Sequence, residues 1–144
     1  MKLTDEGAKK ILQILSGEIA LPASWTLKLF KDNATLNDAD TPASRTECTL
    51  TGYAAATLNR YNATPTTQTA NAIHAVGGIY QLDWDEQTFT FTGNFGETVY
   101  GAELIDADGV LWAEQLLDTP KTPTQSGETV KVTVKLPLGN GTPA

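Results

Sequence analysis

The sequence predicts a mainly β chain: an antiparallel β-sandwich, jelly-roll-like, with one amphipathic helix at its N-terminus. Three observations lead there. Apolar residues alternate with polar ones in several short segments, an Asp-Gly turn joins two of those segments, and a helical period is clear only near the start of the chain. With 144 residues the chain fits one domain, large enough to bury roughly 70% of the surface its unfolded form exposes without a metal or disulfide scaffold. The expected organisation is a helix and link over residues 1–24, a sandwich over 25–136 and a flexible tail over 137–144.

The helix is expected over residues 4–16. Thr4 can cap it, Asp5 and Glu6 sit where the helix dipole favours acids, and Gly17 supplies a left-handed stop. Ala8, Ile11, Leu12 and Leu15 form one apolar face, with Lys9, Lys10 and Gln13 facing away. After Pro22 the period changes: Trp25, Leu27 and Leu29 alternate with Thr26 and Lys28, the pattern of a half-buried strand. Residues 32–47, rich in acids and turn formers, read as a long surface loop. A strand is expected near Cys48–Thr51, and Gly52–Asn59 fits either a short helix or a strand.

Residues 60–78 show little periodicity and read as a second long loop, of the kind that often serves function. The β pattern returns with Tyr80, Leu82 and Trp84, and then with Phe89 and Phe91 set against threonines. Val99–Ile105 and Val110–Leu117 form a hairpin across Asp106-Ala107-Asp108-Gly109, with Tyr100, Leu104 and Trp112 expected in the core. A last strand, Glu128–Leu136, sets Val130, Val132, Val134 and Leu136 opposite Lys131, Thr133 and Lys135, and Pro137 is expected to end it.

Composition narrows the function classes. Ten basic against 17 acidic side chains, net −7, argue against nucleic-acid binding, which needs clustered Lys and Arg. The single cysteine, Cys48, permits neither an internal disulfide nor a Cys-rich metal site, and no segment approaches the ~20 apolar residues of a membrane span. The N-terminus lacks the unbroken apolar run of a signal peptide, so synthesis in a cytoplasm is expected. The lone histidine, His74, has no nucleophile motif nearby, and Cys48 has no adjacent cation to stabilise a thiolate. Asp106 and Asp108 could offer oxygens to Ca²⁺, but the distal ligands of an EF-hand are missing and a hairpin turn explains them better. No catalytic residue, cofactor or metal is expected. The tryptophans could serve a carbohydrate-binding module, although their alternation with threonine favours core positions.

The hairpin V-Y-G-A-E-L-I-D-A-D-G-V-L-W-A-E-Q-L-L, with W-T-L-K-L-F-K-D-N upstream and G-E-T-V-K-V-T-V-K-L downstream, resembles the small virion structural proteins of tailed bacteriophages. Related members carry the same Tyr-Gly, Asp-x-x-Gly and Trp-Ala-Glu words, here Tyr100-Gly101, Asp106, Gly109 and Trp112-Ala113-Glu114. The resemblance covers most of Trp25 to Leu136. It implies a virion component without enzymatic activity, foremost a decoration or cement protein on the capsid exterior. Its partners would then be the major capsid protein and further copies of itself, commonly as a trimer on a symmetry axis. A tail, baseplate or fibre-associated protein is the first alternative and a carbohydrate-binding module the second. Partner contacts are expected on the helix, at Ile11, Leu12 and Leu15, and on the two long loops, at Asn37, Asp38, Asp40, Thr66 and Thr67.

Overall fold

The computed structural model describes the backbone of residues 1–60, 70–76 and 79–138, and the side chains of 1–60 and 82–136. It is mainly β, with one α-helix near the N-terminus. The elements run β1 (Lys2–Leu3), α1 (Asp5–Leu15), β2 (Ser24–Phe30), a 3₁₀ turn (Pro42–Ser44), β3 (Ala56–Asn59), β4 (Ala70–Val76), β5 (Ile79–Trp84), β6 (Gln87–Thr90), β7 (Val99–Asp106), β8 (Leu111–Lys121), β9 (Thr129–Val132) and β10 (Lys135–Leu138). A five-stranded sheet has the order β1-β8-β7-β2-β3, and β10-β5-β4 and β6-β9 form two smaller ones. All the strand pairs among the described residues are antiparallel.

The two smaller sheets act as one interrupted layer, because β5 runs into β6 while β9 runs into β10. Trp84 N–H donates to Val134 O (3.0 Å) across the interruption. This layer and the large sheet enclose one core. Trp25, Leu27, Leu29, Leu58, Leu104 and Trp112 come from the large sheet, and Trp84, Phe89, Phe91, Val130, Val132, Val134 and Leu136 from the other. Trp25 joins the layers: its ring meets Trp84 edge-on at 5.5 Å and Trp112 at 5.3 Å.

α1 closes one end of the sandwich, capped as expected by Thr4, whose Oγ1 accepts from Gly7 N–H at 3.1 Å. The buried side of the helix differs from the predicted stripe. Gly7 is buried with Ile11 and Ile14 partly so, while Leu12 and Leu15 are 66% and 78% exposed. The cause is Gly7, where any Cβ would overlap the backbone of Trp112; only glycine allows so close an approach, and that contact sets the helix rotation. Lys10 consequently turns inward, its Nζ 3.0 Å from Asp108 and 3.7 Å from Asp106.

Several boundaries also differ. Cys48–Thr51 is no strand but an irregular crossing that buries Cys48 and Leu50 and exposes Thr49 and Thr51, flanked by single bridges, Phe30 to Glu47 and Thr51 to Gly93. Gly52–Asn59 resolves as a turn at Gly52 (φ 89°) leading into β3, which forms because β2 offers a free edge. Within the expected loop 60–78, Ala70–Val76 is a strand paired with β5, a case of pairing overriding weak propensity. Thr66 and Thr67 lie outside the described residues. The expected strand Glu128–Leu136 is split, β9 pairing with β6 and β10 with β5. Pro137 lies inside β10 opposite Gln81 and does not end the strand; β10 is a sheet edge, where a missing N–H is tolerated. β1 pairs with β8, so the first residues contribute a strand to the large sheet.

Candidate functional site

Two regions gather side chains that the core does not explain. The first is at the helix. Ile11, Ile14 and Leu15 on α1, Leu3 on β1 and Leu21 in the link surround an apolar cavity of about 180 Å³ whose floor is Trp25, Trp84, Trp112, Leu82 and Leu136. Leu15 and Leu21 are exposed as well as lining it, so they form its rim. Of the predicted contact residues, Ile11 and Leu15 therefore share this cavity, while Leu12 stands outside it, on the solvent side of the helix.

The second region is the outer face of the large sheet. Thr26, Lys28 and Phe30 on β2 alternate with the core residues, and Gly101, Glu103 and Ile105 on β7 lie beside them, with Glu114 on β8 opposite Glu103. This face is covered. Glu103 is 2% and Glu114 0% exposed, because residues 31–47 fold across them. Arg45 holds the cover in place. Its Nη2 donates to Asp40 Oδ2 (2.5 Å) and Glu114 Oε1 (3.2 Å), and its guanidinium lies 5.4 Å from the centre of the Phe30 ring. Burial pushes Glu103 and Glu114 up to about 7. For Glu114 the neighbouring Asp40 carboxylate adds to the rise and Arg45 opposes it. Asp40 moves the other way: the Asn37 N–H (2.7 Å) draws it below the usual carboxylate range against its burial, helped by Glu114 and Arg45.

The loop residues proposed as contacts thus have internal partners. Asp40 binds Arg45, Asp38 pairs with Lys2 (2.7 Å) while its carbonyl accepts the Asp5 N–H (2.8 Å), and Asn37 donates to Asp40 and to Thr35 O. Asn37 and Asp38 remain exposed; Asp40 does not. Beside them Glu47 accepts from Lys28 (2.9 Å) and Tyr53 Oη (3.0 Å), and Tyr53 in turn accepts the Leu29 N–H.

Among the described residues, Asp106 and Cys48 are tied into the fold. Asp106 Oδ1 accepts the N–H groups of Asp108 and Val110, and Oδ2 accepts Trp112 Nε1, each at 2.9 Å. That carboxylate organises the turn and is left with little capacity for a metal. Cys48 is buried, and burial pushes its thiol up, away from nucleophilic character. His74 lies on β4, and its side chain is outside the described residues. Trp25, Trp84 and Trp112 are all buried, and each lines the apolar cavity beside α1.

Apart from Tyr100, the hairpin words that carry the phage resemblance each have a structural reason. A Cβ at Gly101 would overlap Gln115 O and the Phe30 ring. Asp106 ties the turn, Gly109 adopts φ 79°, Trp112 packs on Trp25, Ala113 is fully buried, and Glu114 takes Arg45. Tyr100, expected in the core, is only half-buried. In the sequence, alternation shows only that Lys28 and Glu103 are outward-facing positions of their strands; nothing local announces that a loop carrying Arg45 buries them. Comparisons with protein-family models, curated proteins and solved structures find no match.

Proposed function

We propose that this chain is a non-enzymatic structural component of a tailed-phage virion, foremost a decoration protein that attaches to the outside of the head and stabilises it by bridging capsid subunits. The phage assignment rests on the likeness of the Val99–Leu117 hairpin. The attachment rests on one structural observation, the exposed leucines of α1 and the link, Leu12, Leu15 and Leu21, beside an apolar cavity. Exposed large apolar side chains grouped this way favour burial against a partner. Each copy would bury this surface on the shell, and a homo-oligomer, commonly a trimer, would tie neighbouring subunits together.

The test is binding of the purified chain to heads that lack it, followed by sedimentation, with Leu15→Asp as the variant. Wild-type protein should co-sediment and the variant should remain in the supernatant while keeping its fold. Failure of the wild type to bind, together with absence of the chain from purified virions, would sink the proposal. Copy number separates the tail alternative, since a shell protein is present in many copies and a tail adaptor in few. The carbohydrate-binding alternative would have to use Tyr100, which is half-buried, or the cavity lined by the three tryptophans, and sugar-dependent quenching of tryptophan fluorescence tests it.

A further inference from the structure

The outer face of the large sheet holds more buried carboxylates than cations. Glu103 and Glu114 are direct cross-strand partners, and each has an Oε2 without an aligned hydrogen bond. Like charges placed opposite each other destabilise a sheet when both are ionised, and burial sharpens the conflict. The charged groups facing the pair are Lys2 on β1, Lys28 on β2, and Asp32, Asp40, Arg45 and Glu47 on the covering segment. Lys2 is engaged by Asp38 at 2.7 Å and Lys28 by Glu47 at 2.9 Å. Arg45 is divided between Asp40 at 2.5 Å and Glu114 at 3.1 Å. Arg45 therefore serves Asp40 and Glu114, Glu103 has beside it only the Lys28 that Glu47 already engages, and the closed arrangement is short of positive charge unless it retains a proton.

We propose that residues 32–46 form a pH-operated clasp, closed over the sheet while the Glu103–Glu114 layer keeps a proton and lifting from it when both carboxylates are ionised. The ends of the segment are anchored independently of that layer. Lys31 pairs with Glu97 at 2.7 Å, Glu97 also accepts the Thr49 N–H at 2.8 Å, and the Cys48 N–H donates to Leu29 O at 2.9 Å. The part between them is attached chiefly through Arg45 and through the exposed contacts of Leu36 O with Lys2 and of Asp38 with Lys2 and Asp5.

The direction follows from linkage. Burial raises Glu103 and Glu114 from 4.5 to about 7 in the closed state, whereas the lifted state exposes them to water. Between those values the closed state binds more protons, so its stability falls as pH rises across the window and levels off above it. Asp40 acts in the opposite sense: its lowered pKa contributes stability above 3.8 that is lost as pH falls through its closed-state value. The clasp is therefore tightest in mild acid.

Hydrogen exchange on the full chain, at about pH 5.5 and about pH 8 and corrected for the intrinsic effect of pH, tests this. The amides across 32–46, and that of Asp5, should lose about tenfold or more of their protection at the higher pH, since one unit of pKa shift is a factor of ten. Amides in the β2–β7 ladder should keep theirs. Glu114→Gln should hold the segment protected at both pH values, and Glu103→Gln provides the same test should the first variant fold poorly. Equal wild-type protection at the two pH values, or a loss that persists in a folded Gln variant, would overturn the clasp.

Discussion

On its inner face the five-stranded sheet presents Trp25, Leu27, Leu29 and Leu104 to an apolar core; on its outer face the same strands present Lys28, Glu103 and Glu114 to residues 31–47. Both faces are buried at their centres, yet they are stabilised differently. The inner face gains from burying apolar area and depends little on pH. The outer face buries charge, so its contribution depends on pairing and on protonation. A strand buried on both sides is usually apolar throughout; β7 shows that a loop carrying one arginine can cover a polar face instead.

Substitutions can set the two faces against each other. Trp25→Ala should be the most damaging, at about 3–5 kcal/mol, because it empties the joint between the layers. In urea unfolding this cost should be the same at acid and neutral pH. Arg45→Met should cost about 3 kcal/mol near neutrality, where it leaves buried, partly ionised carboxylates uncompensated, and less in mild acid, where Glu103 and Glu114 hold protons. A pH-independent cost for Arg45→Met would remove the distinction between the faces.

Asp106→Asn, at the hairpin tip, should cost about 2 kcal/mol by thermal unfolding, since an amide cannot accept from the turn and from Trp112 together without turning a donor toward one of them. Leu12→Ser should change stability by no more than about 0.5 kcal/mol, as expected of an exposed position, and under the proposed function should weaken binding to heads in the sedimentation assay. A large stability loss there would mean that Leu12 packs within the molecule.

Much of the inner face was legible in the sequence. Alternation identified Trp25, Leu27 and Leu29, the valines from 130 to 134, and Phe89 and Phe91, and the Asp-Gly turn marked the hairpin. The helix was legible in its ends but not in its rotation, because Gly7 carries no side chain to count as apolar yet makes the closest contact with β8. The outer layer was not legible. Lys28, Glu103 and Glu114 have the periodicity of a solvent face, and Arg45 lies in a loop whose composition reads as exposed; only long-range pairing reveals that they meet. The same limit hid β4, which is defined by its pairing with β5 more than by its own residues.

The most direct test of the two-faced sheet is a carboxyl-carbon NMR titration of the folded chain with glutamate labelled. Glu103 and Glu114 should titrate as a coupled pair with a midpoint near 7, raised by burial. Titration of both in the ordinary range near 4.5 would show that water reaches them and that the outer face is open.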